Sequence, residues 1–232
     1  MIKYTNETVF NVNADCIVNT INCVGFMGKG LALEFALRYP KLNEEYKKQC
    51  LHHEIQLGKV YYYEIDNQKI INFPTKYHFM YPSKIEWIEA GLIDFRKKFN
   101  DYNIKSIAFP LLGCSNGELS KNDVINVMEK YLNIDDIVVY ICDSSLLNGK
   151  EKEMLENFKI CNIDFLSKYV KLNKIQKINL ESERLNIKRF YQILNIDKIG
   201  INTYKSIFNH FYNNNNKEEK FQQLDIFGIK EE

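Results

Sequence analysis

Two glycine-bearing loops constrain this chain more than any other feature. The first is Asn22-Cys23-Val24-Gly25-Phe26-Met27-Gly28-Lys29-Gly30, and the second is Pro110-Leu111-Leu112-Gly113-Cys114-Ser115-Asn116-Gly117-Glu118. Each follows an apolar run with strand character and leads into a helical pattern. Glycine lets backbone approach a ligand closely and adopt positive φ. A helix N-terminus adds unpaired N–H groups and the positive end of a dipole. Two such loops in one domain suit a pyrophosphate held between two backbone cradles.

The rest of the N-terminal pattern agrees with a layered α/β domain. Cys16-Ile17-Val18 reads as a short buried strand. Leu31 to Tyr39 has helical spacing and is expected to end at Pro40. Val60 to Ile65 and Lys69 to Phe73 read as strands joined by a turn at Asp66-Asn67. Ile85 to Phe99 alternates with a helical period, and Ile104 to Phe109 is a further strand. Ser120, with Asp123 three residues on, is a candidate N-cap for a helix reaching Leu132. Ile137 to Ile141 is the clearest buried strand. Strands alternating with helices imply a mostly parallel or mixed sheet.

Composition shifts near Asn148-Gly149-Lys150. From there to about Tyr212 the spacing is helical, with Leu155, Phe158, Phe165, Leu166 and Val170 as one apolar face. The expected organisation is a domain over 1–148, a helical module over 149–212, and a polar linker with a short motif over 213–232. The chain has 232 residues and a net charge of +1, so no global field draws it to nucleic acid or membrane. No apolar run approaches membrane-spanning length. The six cysteines are scattered singly and read as reduced cytosolic thiols, so a cytoplasmic location is expected. No metal site is expected, because His52-His53 lacks a second ligand pair at a useful spacing.

The first loop is not a Walker A loop, since the four-residue spacer and the Ser or Thr after the lysine are missing. The residues around it point elsewhere. Asp15-Cys16-Ile17-Val18-Asn19-Thr20-Ile21-Asn22, then Met27-Gly28-Lys29-Gly30-Leu31-Ala32, resembles the macrodomain signature. Ile71-Asn72-Phe73-Pro74-Thr75-Lys76, then Ile88-Glu89-Ala90-Gly91-Leu92, and the second loop with Leu119 are similar to its DarG-like branch. That branch of DNA ADP-ribosyl glycohydrolases is related to the terminal ADP-ribose protein glycohydrolase. The resemblance covers residues 1 to about 145 and not the helical module.

The resemblance implies a three-layer α/β/α fold with a mixed sheet, and a hydrolase that removes ADP-ribose from DNA bases in a toxin–antitoxin setting. No cofactor is implied; ADP-ribose enters as ligand or product. The pyrophosphate would lie between Gly28, Lys29 and Gly30 on one side and Gly113, Cys114, Ser115, Asn116, Gly117 and Glu118 on the other. Asn22 would hydrogen-bond the distal ribose, with Asn19 and Thr75 nearby. Asn6 stands where the family usually has the adenine-orienting aspartate, with Glu7 beside it. Tyr140 or Asp143 would line the adenine pocket. Lys76 and Asn22 are the catalytic candidates, Lys76 foremost. Its amine could attack the anomeric carbon once burial lowers its pKa, or its charge could stabilise attack by water. The protein-directed hydrolase carries an aspartate where this chain aligns Gly117, which favours a DNA substrate.

Two rival functions stand beside this one: hydrolysis of ADP-ribosyl esters on protein, and ADP-ribose binding without catalysis. Lys76 separates an enzyme from a reader. Three further segments suggest partners. Tyr77-His78-Phe79-Met80-Tyr81, with Lys84 beyond, suits stacking on bases of single-stranded DNA, and equally suits an ordinary aromatic core. Lys168, Lys171, Lys174 and Lys177 form a basic run that reads as a solvated helix face or a phosphate or partner contact. Gln223, Leu224, Asp225, Ile226 and Phe227 resemble the short peptide that binds the bacterial sliding clamp, on a polar linker from Asn213 to Lys220. A cognate ADP-ribosyltransferase toxin completes the expected partners.

Overall fold

The computed structural model describes residues 1–213. The clamp-like residues Gln223 to Phe227 lie outside the described residues. The chain divides into two compact units, the first being Met1–Asn148 and the second starting at Gly149.

In the first unit the strands are β1 (Ile2–Thr5), β2 (Cys16–Ile21), β3 (Tyr61–Ile65), β4 (Gln68–Pro74), β5 (Ser106–Pro110) and β6 (Val138–Cys142). They form one mixed sheet in the order β1-β6-β5-β2-β4-β3. Only the β3–β4 pair is antiparallel. That hairpin turns on Asp66 and Asn67, at φ 50° and 65°. Positive φ at both central residues matches the sheet's own twist, and Asp and Asn tolerate it best after glycine.

Side-chain alternation assigns the two faces. Cys16, Val18, Ile71, Phe73, Ile107, Phe109, Val139 and Ile141 point to one face, where α3 (Ile85–Lys98) and α4 (Lys121–Leu132) cover them with Ile88, Leu92, Phe95, Val124, Met128 and Leu132. Their sequence neighbours Ile17, Ile21, Ile70 and Ala108 face α1 (Gly30–Arg38) and α2 (Pro40–Leu51). The result is the expected three-layer α/β/α arrangement.

The structure departs from the sequence reading in three places. Pro40 ends α1 but also opens α2, where its fixed φ and missing N–H suit a first helical turn. The buried face of α2 is Leu42, Tyr46 and Cys50, a four-residue repeat diluted by seven polar or charged neighbours. β1 is a half-exposed edge strand of four residues, too short for a pattern. Ser120 stands at the N-cap of α4 without a side-chain capping bond.

The second unit is helical among its described residues: α5 (Gly149–Ile160), α6 (Ile163–Leu166), α7 (Lys174–Glu183) and α8 (Ile201–Asn213), with short 3-10 turns between. Phe158, Phe190, Phe208 and Phe211 meet edge to face in its core. Phe165 is only half-buried at the rim of the expected apolar face. Buried Glu151 accepts two bonds from Arg189, at 2.9 and 2.7 Å, and one from Phe190 N–H at 3.0 Å. Lys177 of the basic run pairs with Asp164 at 3.0 Å, while Lys168, Lys171 and Lys174 are exposed. No helix among the described residues is long and apolar enough to cross a membrane.

Asp94 of α3 ties that helix to the start of the β3 hairpin. Its carboxylate accepts from Val60 N–H at 2.8 Å and Lys98 Nζ at 2.7 Å, with Lys59 at 3.6 Å. Burial opposes the charge, but the bonds from Lys98 and Val60 and the two ammonium groups outweigh it and hold the carboxyl below its usual range. A depressed folded pKa gives stability that is present above the unfolded value and is lost as pH falls through the folded one. Asp94→Asn is therefore expected to cost about 1–3 kcal/mol at pH 7. Urea melts at a series of pH values should show that difference shrinking below about pH 4.

Candidate active site

Because β1, β6, β5, β2 and β4 are parallel, their C-terminal ends share one edge of the sheet. β2 keeps six residue pairs with β4, up to Ile21↔Pro74. With β5 it keeps two, Cys16↔Ile107 and Ile17↔Ala108. Past those pairs the two strands part. β2 continues into helices on one face, and β5 into α4 on the other. This is a topological switch point, the place where open α/β sheets bind ligands. The first glycine loop leaves β2 here and the second leaves β5.

The loops touch. A Cβ on Gly30 would stand 2.7 Å from Asn116 Nδ2, and Gly30 has φ +58°, where a larger residue is strained. Gly117 is packed against the Gly113 carbonyl and the Ser83 hydroxyl, and a Cβ would collide with both. No side chain, and so no aspartate, fits at position 117 in this loop.

Asn22 is buried, and its amide organises the first loop. Its Oδ1 accepts from Val24 N–H at 3.0 Å and lies 2.9 Å from the Tyr46 hydroxyl, while its Nδ2 donates to Phe26 O at 2.7 Å. One N–H of that amide is left for a ligand. Asn19 lies inside the sheet, donating to Asn72 at 2.8 Å and contacting Met27 Sδ at 3.8 Å. It supports the loop from beneath rather than standing at the edge.

Thr75 extends the β2–β4 pairing, its N–H donating to Ile21 O at 2.9 Å. Lys76 follows. Its Nζ donates to the Asn116 carbonyl and lies 3.5 Å from Phe79 O. Burial lowers its pKa, the Glu118 carboxylate pulls it back up, and the Lys29 charge pushes it down, for a net lowering. Lys29 is the N-cap of α1. The lysine, the carboxylate and the helix N-terminus therefore share one small region. Glu118 faces Lys76 closely enough to act on its charge. Ser115, Asn116 and Glu118 are exposed, Cys114 is half-buried, and Gly113 is buried.

The proposed adenine end lies farther along the same edge. Asp143 N–H donates to Thr5 O at 3.1 Å, Ser144 N–H to Glu7 O at 3.2 Å, and Leu146 N–H to Asn6 O at 2.8 Å. Asn6, Glu7 and Asp143 are thus brought together. Two bonds from Ser145, helped by Lys121 at 3.5 Å, hold the Asp143 carboxyl below the usual range. Tyr140 sits within β6, packed against the cluster around Phe35 rather than at the edge. From β1 to β4 the edge spans four strand spacings, about 19 Å, long enough for an extended ligand.

Between the loops, the chain's own groups fill the space: Lys76 on Asn116, Asn116 on Gly30, and Phe26 against Phe79 at 4.7 Å. A groove of about 600 Å³ lies instead beside the exit of the second loop, lined by Lys84, Ile85, Leu119, Asp123 and Val127 among others. Sequence reasoning missed Tyr46, Ser83 and Phe26. Only Phe26 had a visible signal, as a large apolar residue inside a glycine loop.

Comparison with known proteins identifies the fold. A sequence profile described as Macro domain matches residues 18–128. A DNA ADP-ribosyl glycohydrolase of Mycobacterium tuberculosis is 40% identical over 146 residues, covering 60% of this chain and 42% of that protein. The solved macrodomain of M. tuberculosis DarG is 40% identical with a TM-score of 0.55, over 60% of this chain and 97% of that one. A DNA ADP-ribosyl transferase-DNA ADP-ribosyl glycohydrolase fusion protein of Thermosipho africanus is 33% identical over 141 residues, covering 53% of this chain and 36% of that protein. The structure of T. africanus DarTG in complex with ADP-ribose is 27% identical with a TM-score of 0.57, over 63% of this chain and 43% of that one. The chain spans about two fifths of the length of these curated relatives. Being 40% identical to a solved macrodomain of which it covers 97%, this chain belongs to the macrodomain family.

Proposed function

We propose that this protein is a cytoplasmic hydrolase that cleaves the N-glycosidic bond between ADP-ribose and a DNA base. The observation that carries the reading is Lys76. An amine with a lowered pKa stands between the two glycine loops, at the β4 end of an edge whose other end gathers Asn6, Glu7 and Asp143. An ADP-ribose laid along that edge puts adenine beside β1 and β6. Its pyrophosphate lies between the loops, where the α1 N-terminus and Lys29 favour negative charge. Its distal ribose lies at Asn22 and Lys76. The bond from the anomeric carbon to the base nitrogen breaks, water supplies the hydroxyl of free ADP-ribose, and the base leaves with a proton. The names of the M. tuberculosis and T. africanus relatives support a DNA substrate. So does the packing at Gly117, which leaves no room for the acid of the protein-directed branch.

Two partners accompany the proposal. One is a cognate ADP-ribosyltransferase toxin, supported by the fusion of both activities in the T. africanus relative. The other is the bacterial sliding clamp, supported only by the sequence Gln223-Leu224-Asp225-Ile226-Phe227. A clamp tether would raise the enzyme's concentration near replicating DNA.

Release of ADP-ribose from modified DNA should fall below detection in Lys76→Ala while ADP-ribose affinity, measured by calorimetry, stays within a few-fold. Retained turnover would remove Lys76 from the reaction. The pH profile assigns its role: a rising limb identifies the neutral amine as nucleophile, and a falling limb identifies the ammonium as stabiliser. Glu118→Gln removes the charge that raises the Lys76 pKa, so either limb should move to lower pH. For the clamp, a peptide spanning Lys220 to Lys230 should bind with roughly micromolar affinity. Leu224→Ala with Phe227→Ala should eliminate that binding, and failure of both wild-type peptide and full chain to bind would exclude this partner.

A further inference from the structure

The segment after Lys76 is not part of the core. Tyr77, Phe79, Met80 and Tyr81 are 62, 44, 73 and 63% exposed, and Phe26 of the first loop is 51% exposed beside them. The rings of Phe26, Phe79, His78 and Tyr81 form one connected surface, with Phe26 to Phe79 at 4.7 Å, Phe79 to His78 at 4.3 Å, and His78 to Tyr81 at 5.5 Å, and exposed Tyr77 precedes them in the same segment. Contiguous exposed apolar surface of this kind marks an interaction site.

The surface is also held still. At one end Cys23 N–H of the first loop donates to Tyr77 O at 3.0 Å. At the other, Ser83 N–H donates to Gly117 O of the second loop at 2.9 Å. Within the turn, Tyr81 N–H donates to His78 O at 3.2 Å and Met80 N–H to His78 Nδ1 at 3.3 Å. A segment bolted to both glycine loops keeps a fixed place relative to the pyrophosphate between them. Such preorganisation lowers the ordering cost of binding.

We infer that Tyr77, Phe79 and Tyr81 form a platform on which unpaired bases flanking the modified nucleotide stack. The inference rests on the hydrolase reading above and extends it to the DNA strand. In the pose proposed above the distal ribose meets Lys76, and this segment starts at the next residue and is bonded to both loops, so the base bonded to that ribose would emerge beside it. The neighbouring nucleotides must then pass over it. Exposed aromatic rings fit flat π faces of any sequence, and Lys84, with its ammonium 5.3 Å from the Trp87 ring, offers positive charge to the backbone. Bases inside a duplex have no free faces to offer, so the partner is a single strand.

The test compares one adduct in three settings: a single ADP-ribosylated nucleoside, a short single-stranded oligonucleotide, and its duplex. The wild type should prefer the single strand over the nucleoside in kcat/KM. Tyr77→Ala and Tyr81→Ala should each lower kcat/KM on the single strand about ten-fold, leave the nucleoside within two-fold, and leave ADP-ribose affinity unchanged. Tyr81→Phe should restore the loss, because the ring and not the hydroxyl stacks. Equal wild-type rates on nucleoside and oligonucleotide, or equal losses on both in the variants, would overturn the platform. Unmodified single-stranded oligonucleotide is bound or not independently of turnover. If the wild type hydrolyses no adduct, the hydrolase reading fails, while binding lost in Tyr77→Ala and Tyr81→Ala still supports the platform and binding unchanged in them overturns it.

Discussion

Strands β2 and β5 run together for two residue pairs and then separate, and the rest of the site depends on that separation. A sheet that reverses its winding direction between two neighbouring strands sends their following loops to opposite faces. A crevice is left at the C-terminal edge. Here each loop that enters it is short, rich in glycine and followed by a helix. Backbone N–H groups and helix N-termini thus lie along that edge, where they favour negative charge. Lys76 adds a charge at one margin because β4 remains paired with β2 through Pro74 and delivers the next residues alongside.

The parts of this arrangement written in local signals were legible in the sequence. The glycine loops follow apolar runs, the Asp66-Asn67 turn joins two strands, and the Lys69 to Phe73 run lies in β4. What depended on tertiary contacts was not legible. The Pro40 helix buries three residues among many polar ones, so its period was invisible. Asn22 looked free to meet a ribose, yet Tyr46, from a helix two dozen residues away, shares in holding its amide within the loop. The Tyr77 to Tyr81 run admitted a core or a surface reading equally. Only the fold shows those rings facing solvent.

Charge within the site follows the same logic of placement. Glu118 is adjacent in sequence to the missing acid of the related protein hydrolase. Its carboxylate is near enough to Lys76 to raise that amine's pKa. Lys29 acts on the same amine with the opposite sign. The two neighbours therefore tune one lysine, and both arrive on the glycine loops. In the proposed function, pyrophosphate binding and the state of the Lys76 amine would be coupled through these shared residues.

The most direct measurement is a titration of the isotope-labelled protein with free ADP-ribose, followed by backbone amide resonances. The expected result is saturable shifts concentrated in residues 22–30, 75–76 and 113–118, with smaller ones near Asn6 and Asp143. Absence of binding, or shifts gathered instead around the groove at Lys84 and Val127, would contradict a ligand cleft between β2 and β5.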